Sequence, residues 1–333
     1  MVSQKDIAEA LDVSVSLVSK VLNDRLGNTG VRDELAQAIR EKANELGYRP
    51  NASALAFRRG RHDVVGVFVH APGMAGSGII EDLLAGVTSA AREAGQRQTI
   101  SFYRSSEDFR QLCENAHPGT MDGLLVAGII HKEILPTLKE VQESGLPVVT
   151  LFDEPIDESF PNVGMDQQLT ARVATEHLIE RGCSRIAHIV NTAPRFEGYK
   201  VALEVGGLPF LPQLVYEAKG TGGYTHTVGE KAVRALLEAG QRIDGFMAQA
   251  DQEAMGVMNE LARQGLGVPE DVRVAGIDNA PYCEFARVPL TSVSQRFDER
   301  GARAVQMLLR LVEGQDVESM VLEPILHVRA SSA

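Results

Sequence analysis

Seven short apolar runs rich in β-branched residues punctuate the chain after residue 62: VVGVFVH, QTISFY, DGLLVAG, PVVTLFD, RIAHIV, DGFMAQ and VRVAGID. Amphipathic helix patterns stand between many of them, as at Ile80–Glu93, Glu133–Ser144, Leu169–Arg181, Glu230–Ala239 and Glu253–Gln264. Continuous apolar runs suit strands buried on both faces, and strands alternating with helices demand parallel sheets covered by helices. One doubly wound unit rarely uses seven strands and roughly 270 residues, so two similar units are expected.

A chain of 333 residues that is 44% hydrophobic and 23% charged can bury such cores without covalent staples. Its three cysteines, Cys113, Cys183 and Cys283, are far apart and lack CxxC spacing, which argues against a disulfide framework or a zinc site. No apolar run approaches the length of a membrane span, and the opening MVSQKDIAEALD has no apolar signal-like core. The expectation is a cytoplasmic protein without membrane contact. Catalysis finds no constellation. HAPGMAGSGII is glycine-rich, but no Lys-Ser/Thr follows it and the dinucleotide spacing is absent. The eight histidines form no HxxxH pair, and no GxSxG elbow occurs. No catalytic residue, metal ligand or cofactor is expected. A solute-binding transport protein would share the strand–helix body, but it would need a signal segment and no use for the first sixty residues.

Those residues differ in charge from the rest. Residues 1–61 carry ten basic and eight acidic side chains, against 23 basic and 37 acidic in the remainder. Within Arg40–Arg61 six basic residues face two acidic ones, so a polyanion could be held at one end of an acidic chain. Three short helix patterns occur here. Ser3 and Asp6 have the spacing of a capping box, and Ile7, Ala8 and Leu11 mark one apolar face. Asp12 and Val13 make a turn, and Ser14 can cap a second helix from Val15 to about Asn23. Leu35, Ile39, Ala43 and Leu46 pattern a third, with Gly47 as its stop. Two short helices joined by a tight turn and crossed by a third form a helix-turn-helix. Val18, Val21 and Leu22 pack inward, leaving Val15, Ser16, Ser19 and Lys20 on a small outer face that fits a major groove about 12 Å wide.

KDIAEALDVSVSLVSKVLND, followed by ELGYRPNASALAFRRGR and VVGVFV, resembles the LacI/GalR family of bacterial transcriptional regulators. NVGMDQ, HLIERGCSRIAHI, VPEDVRVAGIDNAP and VPLTSVSQ stand in the family's order, so the resemblance covers essentially the whole chain. It implies an α/β protein with an all-α helix-turn-helix headpiece (residues 1–47), a hinge helix or linker (48–61) and a periplasmic-binding-protein-like body (62–333). That body would hold two doubly wound parallel-sheet subdomains, one of about 62–161 and 292–321, the other of about 162–291 and 322–333. It implies a homodimer on double-stranded, near-palindromic operator DNA, with half-sites one helical turn apart, roughly 34–36 Å. By position Val15, Ser16 and Lys20 correspond to base-reading residues, with Ser19 and Asn23 near the backbone. Leu17 replaces the usual Thr, and Lys20 the usual Arg, so the planar fork that grips guanine is missing. The hinge, with Asn51, Leu55 and Phe57, would enter the minor groove, while Arg58, Arg59 and Arg61 would meet phosphates. Phe57 stands where the family places a leucine wedge, and such side chains unstack base steps to bend DNA.

The resemblance also implies an effector between the two subdomains, at the carboxyl ends of strands. His70, Asp153, Asn191, Asp251 and Asp278 should face it by motif position. Three departures bear on the ligand. HAPGMAGSGII is about three residues longer than usual. Ala193 aligns with the usual effector-binding arginine, and Arg195 lies two positions later. The usual Asn-Asp pair is Ala250-Asp251, with Gln249 beside it. With no Trp in the chain, stacking on a sugar would fall to Phe102, Phe196 or Tyr282. Converging carboxylates suit a hydroxyl-rich ligand, and a carbohydrate is the first expectation. A nucleobase, a phosphorylated metabolite or a protein partner are the alternatives, as is a ligand that strengthens DNA binding.

Overall fold

A computed structural model describes residues 2–23, 31–49, 61–70, 78–218 and 225–333. The chain divides into two units, Met1–His62 and Asp63–Ala333.

The first unit holds α1 (Gln4–Ala10), α2 (Val15–Leu22) and α3 (Asp33–Glu45). The capping box at its start forms. Ser3 N–H donates to Asp6 Oδ2 at 2.6 Å, and Asp6 N–H donates to Ser3 Oγ at 3.4 Å. Asp12 takes a left-handed φ of 53°, and Val13 N–H donates back to Ala8 O at 3.0 Å, which turns the chain into α2. The Ser14 hydroxyl accepts from Leu17 N–H at 3.1 Å and caps it. Ile7, Ala8, Val18, Val21, Ala36, Ile39 and Ala43 form the buried core, with Leu11, Leu22 and Leu35 packed against it. Gly47, at φ +67°, ends α3 while Tyr48 N–H reaches Ala43 O at 2.8 Å.

The second unit is built on two main sheets. All seven apolar runs become strands. In one sheet β1 (Val64–His70), β2 (Arg97–Tyr103), β3 (Gly123–Gly128) and β4 (Val148–Leu151) lie in the order β2-β1-β3-β4, all parallel. The other contains β6 (Ile186–Val190), β7 (Val215–Glu217), β8 (Gly245–Met247), β9 (Arg273–Ile277), β10 (Thr291–Ser294) and β12 (Ile325–His327). Its order is β12-β10-β9-β8-β6-β7, parallel except for β12. Between them β5 (Val163–Met165) pairs with β11 (Met320–Leu322).

Helices cover both sheets. α4 (Ile79–Glu93), α5 (Ser106–Cys113), α6 (Leu135–Glu143) and α12 (Phe297–Val312) serve the four-stranded layer. α7 (Gln167–Glu180), α8 (Ala193–Val205), α9 (His226–Glu238), α10 (Asp251–Arg263) and the short α11 (Tyr282–Phe285) serve the six-stranded one. The chain passes between layers at β5, after β10 and at β11. Asn162 fixes the first passage: it is 1% exposed, its Oδ1 accepts from Thr150 Oγ1 and Phe152 N–H, and its Nδ2 donates to Phe152 O. Buried polar groups so fully satisfied specify one arrangement of the crossing strands.

Candidate functional site

On α2 the residues predicted to meet DNA are placed as the helical period requires. Val18 and Val21 are fully buried, whereas Val15, Ser16 and Lys20 are exposed. Ser19 and Asn23 are half-buried, with Asn23 Nδ2 donating to Ser19 O at 2.5 Å and tying off the last turn. Leu17 is also half-buried and packs against the three-helix core, so the methyl-rich face that replaces the usual Thr partly turns inward. Asn51, Leu55, Phe57, Arg58 and Arg59 lie outside the described residues.

In the body, a cavity of about 150 Å³ opens where the two layers face each other. It has room for on the order of ten water-sized groups, about the size of a monosaccharide. Five of the seven polar residues in its wall follow the carboxyl end of a parallel strand: Asp153 after β4, Thr192 after β6, Gln252 after β8, Asp278 after β9 and Gln295 after β10. α8 contributes Arg195 and α12 contributes Phe297 and Arg300, while Ile79 and Leu83 of α4 supply an apolar wall. Open α/β sheets place ligands at this end of their strands because loops there leave a crevice.

Three of the eight residues expected to face the effector therefore come together: Asp153, Arg195 and Asp278. Asp278 has a left-handed φ of 115°, and Asn279 after it has φ 56°. Two consecutive non-glycine residues in that region are a strained turn beside a cavity. Gln295 Nε2 donates to Asp278 Oδ1 at 2.6 Å. Burial pushes the Asp278 carboxyl well above the usual carboxylate range, Arg195 pulls it down and Asp251 adds to the rise. Arg195 is 8% exposed; its Nε donates to Gln167 Oε1 at 2.7 Å and its Nη1 to Gln249 O.

The structure does not bring the other five to the cavity. His70 turns its Nδ1 to Ile129 O at 3.0 Å and stacks between Tyr103 and His131. Phe102 sits on the edge strand β2, 51% exposed. Asn191 donates to Glu253, whose carboxyl is pushed up to about 7 by burial. Gln249 is fully buried; its Oε1 accepts from Thr192 N–H and its Nε2 meets His188 Nε2. Asp251 is fully buried and accepts from Ala280 N–H, Ser292 Oγ and Cys283 Sγ at 2.8, 2.6 and 3.1 Å. Asn191, Gln249 and Asp251 fix the loops behind the wall. Sequence reasoning did not single out Arg300, Gln295 or Phe297 as wall residues. The signal was present: Phe297, Arg300, Ala304 and Leu308 follow one helical stripe, and an arginine within an apolar stripe is rarely idle.

Among the described residues no cluster of metal-ligating side chains occurs, and no helix is long and apolar enough to cross a membrane.

Comparison with known proteins bears on both units. Residues 3–51 match the family described as "Bacterial regulatory proteins, lacI family", and residues 175–332 match "Periplasmic binding protein-like domain". The family's DNA-binding model thus lies at the start of the chain, and the chain is similar along its length to LacI-family regulators. Catabolite control protein A of Priestia megaterium is 29% identical over 327 residues, spanning 96% of this chain and 95% of that protein. A transcriptional regulator CelR–cellobiose complex is 28% identical, covers 99% of this chain and 100% of its own, and superposes with a TM-score of 0.72. The lac repressor dimer bound to operator and the anti-inducer ONPF is 22% identical, with 99% of both chains covered and a TM-score of 0.83, a likeness of fold. With that match at residues 3–51 and regulators similar over nearly its whole length, this chain is a DNA-binding transcriptional regulator.

The buried carboxyls give a pH prediction. A carboxyl whose native pKa is raised binds more protons folded than unfolded, so its contribution is fully present below the unfolded pKa. It is lost as pH rises toward the native pKa. Asp278 and Glu253 have this sign. His188, held down to about 4 by burial, has the opposite one: its contribution is lost as pH falls below its unfolded value. Asp278→Asn removes the Asp278 part and retains the oxygen that Gln295 donates to. The melting temperature of Asp278→Asn minus that of the unmodified protein should therefore grow between pH 5 and pH 8, by about 5 °C. Melting curves across that range check it; a constant difference would mean that Asp278 is ionised throughout.

Proposed function

We propose that this regulator is an effector-responsive repressor that binds a near-palindromic operator as a homodimer and releases it when a sugar-class ligand fills the cavity between its two sheet layers. It works in the cytoplasm and catalyses no reaction. The observation that carries the reading is the cavity itself. Its wall draws polar groups from both layers, so a ligand bridging Asp153 on one side and Arg195 and Asp278 on the other changes the energy of closing one layer on the other. The relatives' names add support: one solved regulator is a cellobiose complex, and another is a repressor dimer on operator.

In this reading residues 1–47 are the headpiece, 48–61 the linker and 62–333 the effector body. Val15, Ser16 and Lys20 read bases from the major groove, while Ser19 and Asn23 meet the sugar–phosphate backbone and Leu17 supports the helix. Asn51, Leu55 and Phe57 enter the minor groove, and Arg58 and Arg59 meet phosphates. Each phosphate contact adds up to about 0.9 to the salt slope.

The test is selection of an operator from random DNA with the intact protein, then titration of that operator with and without sugars at about 0.15 M salt. Effector should weaken operator binding by about 5- to 150-fold, the usual span of allosteric coupling. Lys20→Ala should relax base preference at one position of each half-site. Failure to select any preferred sequence would overturn the operator reading, and ligand that tightens binding would reverse the sign.

A further inference from the structure

Arg300 is a cation buried for a reason that the fold alone does not supply. It is 1% exposed, in the middle of the stripe by which α12 packs on its layer. Its Nε donates to Val163 O at 3.3 Å, and its Nη2 donates to Phe152 O at 3.0 Å and Val163 O at 3.2 Å. The Phe297 ring lies 5.0 Å from its Cζ and holds the guanidinium plane. Its Nη1 is buried without a hydrogen-bond partner among the described residues, and Arg300 forms part of the cavity wall. The carboxylate paired with it, Asp153, stands off at 3.7 Å with its side chain 51% exposed. That distance is too long for a hydrogen bond. The undescribed stretches of the body, APGMAGS at 71–77 and KGTGGY at 219–224, contain no carboxylate.

A guanidinium cannot discard its proton, so its charge stays in the wall. A buried ion with an unmade donor is costly, and the cost falls when an anion arrives with matching geometry. Arg195 adds a second cation to the same wall. The acids opposite them are unequal: burial holds the Asp278 carboxyl toward its neutral form, whereas Asp153 is half-exposed. The wall thus sets two guanidinium groups against two carboxyls, one of them driven toward its neutral form by burial, although the whole chain is at −12.

Building on the effector reading above, we propose that the ligand is a sugar acid, a polyhydroxylated molecule with a single carboxylate seated on Arg300 Nη1. Its hydroxyls face Asp278, Gln295 and Thr192, whose oxygens and amide suit O–H donors and acceptors. A single carboxylate fits better than a phosphoryl group. Two of the three guanidinium nitrogens are spent on Phe152 and Val163, and a dianion would have to lie beside Asp153. Cavity size agrees with a monosaccharide acid.

The test is calorimetric titration of the full-length protein with matched pairs: glucose and glucuronate, galactose and galacturonate, glucose and gluconate, with glucose 6-phosphate as the phosphoryl arm. One acid should bind at least about 30-fold more tightly than its neutral parent, and Arg300→Met should cut that acid's affinity by about 100-fold, or roughly 2.7 kcal/mol. The neutral parent should change by less than about threefold, since it makes no ion pair to lose. Should Arg300→Met fail to fold, Asp153→Asn serves instead, because its exposed side chain is not part of the core. Removing that competing charge should tighten the acid by about three- to tenfold and leave the neutral sugar no tighter. A neutral sugar binding as well as its acid overturns the inference, and so does equal weakening of both by Arg300→Met. Tighter binding of the sugar phosphate overturns the carboxylate assignment. Silence across the whole panel overturns the sugar-effector reading itself, and this inference with it.

Discussion

Replacing Gly86 with alanine is expected to lower the melting temperature by about 6–12 °C, corresponding to roughly 3 kcal/mol in a unit of this size. α4 and α12 touch backbone to backbone at this point. A Cβ on Gly86 would lie 1.7 Å from Asp298 O, and one on Gly301 would lie 2.5 Å from Leu83 O. Neither obstacle is the end of a flexible side chain, so the helices themselves must separate. Separation also reaches the cavity, because α4 carries Ile79 and Leu83 and α12 carries Phe297 and Arg300 into its wall. Gly86→Ala should therefore weaken effector binding as well as stability, by about tenfold for a displacement of a few tenths of an ångström at a polar contact. Thermal denaturation and ligand titration of the same preparation check both effects. A melting temperature within about 2 °C of the unmodified protein would mean that the two helices slide apart freely.

The elements that carry the most local information were the ones legible in the sequence. The capping box at Ser3, the turn at Asp12 and the cap at Ser14 are short-range hydrogen-bond patterns, so spacing alone revealed α1 and α2. Strands buried on both faces announce themselves as apolar runs; each of the seven runs became a strand, although β2 lies at the sheet edge with most of its residues exposed. The short strands β5, β7, β10, β11 and β12 carry no such signature. Three to four residues are too few for a period, and their pairing is fixed by partners as far away as Met320 is from Val163.

The site was half legible for the same reason. Position after a strand end is a sequence property, and it singled out Asp153 and Asp278, whereas Arg195 came from the family resemblance. Which way a loop side chain turns is decided by the donors around it. Asn191 is claimed by Glu253 and Gln249 by Thr192 and His188, though each follows a strand as Asp278 does. Arg300 comes from a helix nearly 150 residues after Asp153, and only the folded chain sets them side by side.

Asp251→Ala is expected to cost about 3–5 kcal/mol, the range found when one partner is removed from a buried charged network. Asp251 begins α10, yet its carboxylate does not cap that helix: it accepts from Ala280 N–H, Ser292 Oγ and Cys283 Sγ, all outside it. Through these bonds the helix is stitched to β10 and to the turn that follows β9. Alanine would leave the Ala280 N–H and the Ser292 hydroxyl buried without acceptors, at about 1–3 kcal/mol each. The turn concerned is the strained one at Asp278 and Asn279, which persists only because its surroundings fix it. On its other flank, Asn279 N–H donates to Ser292 Oγ at 2.9 Å, and Arg329 Nη2 donates to Asn279 Oδ1 at 2.7 Å. Loss of the Asp251 anchor releases one side of this turn, so Asp278 should move from its place in the cavity wall. Effector affinity should then fall by about tenfold or more even at temperatures where the variant is fully folded. Asp251→Asn, which keeps one acceptor oxygen, should lose less stability than Asp251→Ala. Denaturant unfolding of the two variants beside effector titration below the transition separates the effects. A folded Asp251→Ala protein that binds effector unchanged would mean that the turn is held by Arg329 and Ser292 alone, and that Asp251 serves stability without positioning the site.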